Sequence, residues 1–130
     1  MKAIHVVAGA LLREGRILIA QRPSGKHMAG GWEFPGGKLS TDELPIAGLK
    51  RELQEELGID AQVCEPVAQC THDYPDRRVL LDLWLVREFT GEPQSLEDQP
   101  IKWVAIDELN AVGMLPADEP LIEALVKYLR

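Results

Sequence analysis

Cysteine is scarce in this 130-residue sequence. Only Cys64 and Cys70 occur, and neither belongs to a Cys-x-x-Cys pair or to a Cys/His cluster at zinc-binding spacing. Both read as buried thiols of a reducing compartment, because a redox-active thiol needs a specific electropositive setting. Basic residues are outnumbered. With 14 Lys and Arg against 21 Asp and Glu the formal charge is −7, which argues against wrapping a nucleic-acid polymer through broad phosphate contacts. A small anionic ligand is still admitted if a metal ion and a few local cations receive it. No long apolar run is present at the N-terminus: MKAIHVVAGALL is too short and too interrupted to span a membrane, and it lacks the flanks of a signal peptide. Together these absences predict a cytoplasmic protein with no membrane partner.

What is present is ordinary globular material, 45% hydrophobic and 27% charged, in a length that suits one domain over residues 1–130. The unusual stretch is GGKLSTDELPIAGLKRELQEELGI, residues 36–59. At 3.6 residues per turn Ile46, Leu49, Leu53 and Leu57 share one helix face, and Glu52, Glu55 and Glu56 share the neighbouring sector. Glu52 and Glu56 stand at i,i+4, where like charges cost about 0.2–0.5 kcal/mol, and all three lie toward the end of the helix that disfavours anions. A cation should offset this. Oxygen ligands at such density suit magnesium or manganese; a solvated acidic face would look the same from the helix alone. Gly48 falls within the acidic sector and reads as leaving room for a ligand.

Along the chain, residues 3–12 and 16–21 read as two core strands joined at Arg13-Glu14-Gly15, and 22–31 as a loop that concentrates the cations Arg22, Lys26 and His27. Trp32-Glu33-Phe34 reads as a short strand stopped by Pro35 and by a turn at Gly36-Gly37. Ser40-x-x-Glu43 has the form of a capping box, which would put Pro45 in the first helical turn, and Gly58 stops the helix. Residues 61–72 and 78–89 form strands joined at Tyr74-Pro75-Asp76-Arg77, the second buried on most of both faces, with Asp82 as a hydrogen-bonded or edge-facing acid. A polar loop over 90–99 leads to a strand at 101–105, a turn or short helix near 106–109, and a final helix opened by Pro116-Ala117-Asp118-Glu119-Pro120. That helix would turn Leu121, Ile122, Leu125, Val126 and Leu129 to the core, with Asp118 placed as its N-cap.

Gly37, Glu43, Arg51-Glu52-Leu53, Glu55-Glu56, Gly58 and Ile59 match without gap or substitution the pattern GX5EX7REUXEEXGU, U being aliphatic. The sequence thus resembles the Nudix hydrolases, and WEFPGGK and PADEP extend the resemblance to the MutT type over nearly the full length. The resemblance implies an α/β fold, an α/β/α sandwich with a mixed sheet. It implies a magnesium-dependent (or manganese-dependent) pyrophosphohydrolase in which Glu52, Glu55, Glu56 and Glu97 act in catalysis and, with the Gly36 carbonyl, hold metal. It implies nucleotide contacts at Arg22, His27, Glu33, Phe34 and Asp118, with Lys38 near phosphate or in solvent. Gly37, Glu43 and Arg51 would brace the box.

The implied partner is a small nucleotide, handled by a monomer or homodimer in the cytoplasm. Oxidised dGTP is the first expectation. The MutT type carries asparagine where this chain has Asp118, and CTP pyrophosphohydrolases of similar type also end in a Pro-Ala-Asp segment, so cytidine nucleotides come second. Another nucleoside-diphosphate derivative, or a non-catalytic module, is a further alternative; the intact box disfavours the last.

Overall fold

The computed structural model describes residues 3–23 and 28–130. Among these residues seven strands form one mixed sheet: β1 (Ala3–Arg13), β2 (Arg16–Gln21), β3 (Trp32–Glu33), β4 (Gly36–Lys38), β5 (Asp60–Tyr74), β6 (Arg77–Thr90) and β7 (Ile101–Ala105). Two α-helices, α1 (Pro45–Leu57) and α2 (Glu119–Tyr128), cover its faces, with 3-10 turns at Ile106–Ala111 and Pro116–Asp118.

Strand β1 organises the sheet. Along most of its length it runs parallel to β6, from Ala3 opposite Arg78 to Leu11 opposite Val86. Its other edge is shared: Val6, Val7 and Ala8 pair antiparallel with β4, whereas Leu12 and Arg13 pair with β2. The turn between β1 and β2 uses Glu14 and Gly15 with φ of 52° and 75°, the left-handed pair that a tight hairpin requires. Strand β2 in turn carries β3 and the antiparallel β7, and β6 carries β5.

Alternation along β1 divides the core. Val7 and Leu11 face α1 and pack with Leu49, Leu53, Leu57 and Val86. Ala8 and Ala10 face the other way, toward Leu121, Ile122 and Leu125 of α2 and Leu83 and Leu85 of β6. Strand β6 is therefore covered on both sides, as its near-continuous apolar run requires. Asp82 is the exception: it is buried and accepts a 2.8 Å hydrogen bond from the His5 ring, which satisfies its charge.

Four expectations are corrected. Gly36-Gly37 is not a turn; it is the start of β4, a close antiparallel approach to β1. A Cβ on Gly36 would collide with the Val7 carbonyl oxygen, so glycine is required there by proximity. Phe34 lies outside β3 and is buried. The Ser40/Glu43 pair closes a turn ahead of α1 instead of capping it: the Ser40 N–H donates to Glu43 Oε1 (2.9 Å), but Leu44 holds the N-cap position without a side-chain bond and Pro45 begins the helix. Cys64 and Cys70 are only half-buried. The helix stop at Gly58 forms as read, with φ of 70° and its N–H on the Gln54 carbonyl. Strand β5 tolerates Pro66 because it is an edge strand and its register with β6 shifts there.

Candidate active site

A cavity of about 830 Å3 is walled by the first half of β1, the end of β2, residues 33–38 and the tip of the β5–β6 hairpin, with Glu56, Glu97, Gln99 and Asp118 projecting on it. Gathered in its lining are Arg22, Glu33, Phe34, Gly36, Gly37, Lys38, Glu56, Glu97 and Asp118. His27 lies outside the described residues.

The acidic end is built from the last turns of α1. Glu56 is half-buried and accepts a 3.2 Å hydrogen bond from the Gly36 N–H. Burial, reinforced by the negative charges of Glu97 and Glu52, pushes its pKa up to about 8. Glu97 comes from a distant loop, and its approach has a specific cause. The last carbonyls of α1, which have no partner within the helix, accept from that loop: Gln94 N–H donates to Leu57 O and Leu96 N–H to Glu56 O, each at 3.0 Å. The buried Gln99 side chain then accepts from the Glu97 N–H and the Ser95 hydroxyl, each at 3.1 Å, with Asp98 in a left-handed turn between. Glu97 is thereby delivered to the end of the helix.

Glu52 and Glu55 do not line the cavity. The Glu52 carboxylate lies against the backbone of Gly37, where a Cβ would come within about 2.5 Å of it. Burial raises its pKa against the pull of the Arg51 hydrogen bond. Glu55 is the most exposed of the three glutamates in this sector. Arg51 binds three neighbouring acids: Glu43 through two bonds of 2.7 and 2.8 Å, Glu52 at 3.0 Å and Glu55 at 3.2 Å, as well as the Lys38 carbonyl at 3.2 Å. The Arg51 hydrogen bonds, with one from the Ser40 backbone, hold the Glu43 carboxyl down at about 2. Gly48 leaves space, but Leu39 and Glu43 fill it, so the reading of a ligand gap at 48 is corrected.

At the other side of the cavity Arg22 pairs with Glu33 (3.2 Å). Asp118 is buried, only 6% exposed, and its Oδ2 has no hydrogen-bond partner. It stands at the N-cap position of α2, yet its side chain makes no cap bond, which overturns the capping role read from the sequence.

Residues 7–124 match the NUDIX domain family. The chain belongs to that family. It is 44% identical over 126 residues to the CTP pyrophosphohydrolase of Escherichia coli, covering 97% of this chain and 93% of that protein. The 8-oxo-dGTP diphosphatase of the same organism is 40% identical over 126 residues, at 96% and 98% coverage. A MutT Nudix hydrolase from Burkholderia pseudomallei superposes with a TM-score of 0.87 at 28% identity, covering 96% of this chain and 99% of its own.

Helix α1 lies against the β4 backbone, with the Glu52 carboxylate on Gly37. Among the described residues no three acidic, histidine or cysteine side chains are already gathered around one point. The donor chemistry nevertheless fits a divalent cation: the available ligands are oxygens only, and partial burial, with the negative charge of neighbouring carboxylates added to it, raises the pKa of both Glu52 and Glu56. Tyr74, Arg77 and Gln99 are among the cavity residues that sequence reasoning passed over. Arg77 lies 5.6 Å from the Tyr74 ring across the hairpin tip, and its Nε is buried without a partner. A turn motif hides such residues, because Pro75-Asp76 accounts for the local sequence by itself. No described helix is long and apolar enough to cross a membrane.

Proposed function

We propose that this Nudix enzyme hydrolyses nucleoside triphosphates to a nucleoside monophosphate and pyrophosphate, with 8-oxo-dGTP as the first substrate. The observation that carries the reading is the meeting of Glu56, Glu97 and the Gly36 backbone in one cavity that ends at Asp118 and the Arg22–Glu33 pair. Glu52, Glu55, Glu56 and Glu97, with the Gly36 carbonyl, would hold magnesium, or manganese in its place. The bound cation supplies charge neutralisation of the phosphates and a lowered pKa for water.

The protein's own part is orientation and proton handling. Glu52 or Glu97 takes a proton from the attacking water, whose oxygen forms the new bond to phosphorus in line with the anhydride bond that breaks, leaving nucleoside monophosphate and pyrophosphate. Arg51 keeps Glu52 against Gly37 through the bonds described. Arg22, Lys38 and Arg77 bring positive charge to a lining whose other charged side chains are carboxylates, and Phe34 and Asp118 form the wall for the base.

A second reading is a CTP or dCTP pyrophosphohydrolase. Asp118 favours it, since an acid stands where the MutT type carries asparagine, and so does the 44% identity to a protein of that activity. Magnesium-dependent pyrophosphate release from 8-oxo-dGTP, dGTP, CTP and dCTP, compared by kcat/KM, separates the two. No release from any of the four with magnesium or manganese would overturn both.

A further inference from the structure

Gln99 is a polar side chain on the cavity wall, only 7% exposed, and its neighbours reach both ends of that cavity. Two residues before it stands Glu97; the residue after it, Pro100, accepts the Gln21 backbone N–H at 2.9 Å, next to Arg22. Its amide can be oriented only one way. The Glu97 N–H, 3.1 Å away, is a donor and nothing else, so the atom facing it is Oε1, which the Ser95 hydroxyl also approaches at 3.1 Å. The NH2 end is left over. Among the described residues Nε2 meets no acceptor, and such a donor, on a side chain otherwise buried, calls for an acceptor that a ligand brings.

The place of Gln99 says which acceptor. A nucleotide with its base at the Phe34 and Asp118 wall and its outer phosphates at Glu56 and Glu97 lays the phosphate next to the sugar between them. A neutral donor suits this position. A lysine or arginine two residues from Glu97 would pair with that carboxylate and compete with a metal ion for it, whereas an amide donates to a phosphate oxygen and leaves Glu97 its charge. Arg22, the nearest cation along the chain on this side, is already paired with Glu33 at 3.2 Å.

Resting on the pyrophosphohydrolase reading above, we propose that Gln99 is a two-ended contact: its Oε1 holds the Glu97 loop, and its Nε2 donates to an oxygen of the phosphate next to the sugar. One planar amide then sets the seat of a metal ligand and the seat of the phosphate together. A change that shifts the loop shifts the phosphate with it, whatever the base.

Two substitutions separate the ends. Gln99→Glu keeps an oxygen for the Glu97 N–H and exchanges the donor for a second oxygen; Gln99→Met removes both ends at similar size. In calorimetry without nucleotide, Mn2+ should bind Gln99→Glu no more weakly than the wild type, and Gln99→Met about tenfold or more weakly, the factor that one lost buried polar contact is worth. Ser95→Ala, which takes a donor from Oε1 and leaves Gln99 in place, should weaken Mn2+ binding in the same direction. With Mn2+ saturating, 8-oxo-dGMP should bind both Gln99 variants about tenfold or more weakly than the wild type. Its nucleoside, which has no phosphate, should bind all three alike. Unchanged affinity of Gln99→Glu for 8-oxo-dGMP overturns the phosphate contact, and so does an equal loss with the nucleoside. Mn2+ binding unchanged in both Gln99→Met and Ser95→Ala overturns the hold on Glu97. Absence of pyrophosphate release by the wild type would instead count against the enzyme reading, and the two failures are therefore distinct.

Discussion

The carboxyl carbon of Glu52 occupies the place that a side chain on Gly37 would need, about 2.5 Å from where its Cβ would lie. One residue has no side chain so that the other can be seated against the backbone of β4. Gly37→Ala should therefore displace Glu52 while leaving both core clusters intact. An activity loss of about 10²-fold is expected, the usual consequence of misplacing a reacting group by an ångström. Pyrophosphate release and a thermal melt measure the two effects; full activity with an unchanged melt would show that the seat of Glu52 is immaterial.

Arg51 binds three glutamates, and lysine cannot reproduce its fork. Arg51→Lys should lose activity by about tenfold or more, through slackened placement of Glu52. It should also weaken resistance to acid. The Glu43 carboxyl, held at about 2 in the fold against an ordinary 4.5, contributes stability above its unfolded pKa that is lost as pH falls toward 2. The variant loses most of that contribution, so its unfolding midpoint in an acid titration followed by circular dichroism should move to higher pH.

Glu56 has the opposite sign. Its pKa rises from 4.5 to about 8 on folding, so the folded protein holds a proton that the unfolded chain releases. Stability from this group is complete below about 4.5 and declines as pH climbs through 8. In chelator the melting temperature should drop between pH 6 and pH 9; Glu56→Gln should flatten that slope. Adding magnesium to the wild type at pH 9 should restore melting temperature, and a failure to do so would count against Glu56 as a metal ligand.

Leu53 is fully buried between α1 and β1, with Gly9 beneath it so close that a Cβ there would stand 3.2 Å from Leu53 Cδ1. Leu53→Ala should cost about 2–5 kcal/mol of stability in urea unfolding. Because the glutamates ride on the same helix, activity should fall with temperature earlier than in the wild type.

The periodic parts of this molecule were legible before any coordinates. The apolar face of α1, the strands at 16–21 and 101–105, the Gly58 stop and the hairpin at Pro75-Asp76 all follow from local pattern. Close approach was not legible. Nothing in the letters Gly36-Gly37 separates a turn from a strand pressed against another, and nothing at Gly48 shows that Leu39 will fill its gap. Glu97 could be placed only by likeness to other Nudix sequences, since its delivery depends on helix-end carbonyls binding a loop about forty residues away. Asp118 reads as a good cap because capping is a local property, whereas its place in the cavity wall beside Glu33 and Arg22 brings in residues from the other half of the chain.

Strand β1 turns alternate side chains toward two different helices, and the cavity inherits that division. The glutamates are anchored from the α1 layer and Asp118 from the α2 layer, so a substitution that reshapes one wall need not disturb the other. In the function proposed above, changes around residue 118 would exchange the favoured nucleobase while the bond that is cut stays the same.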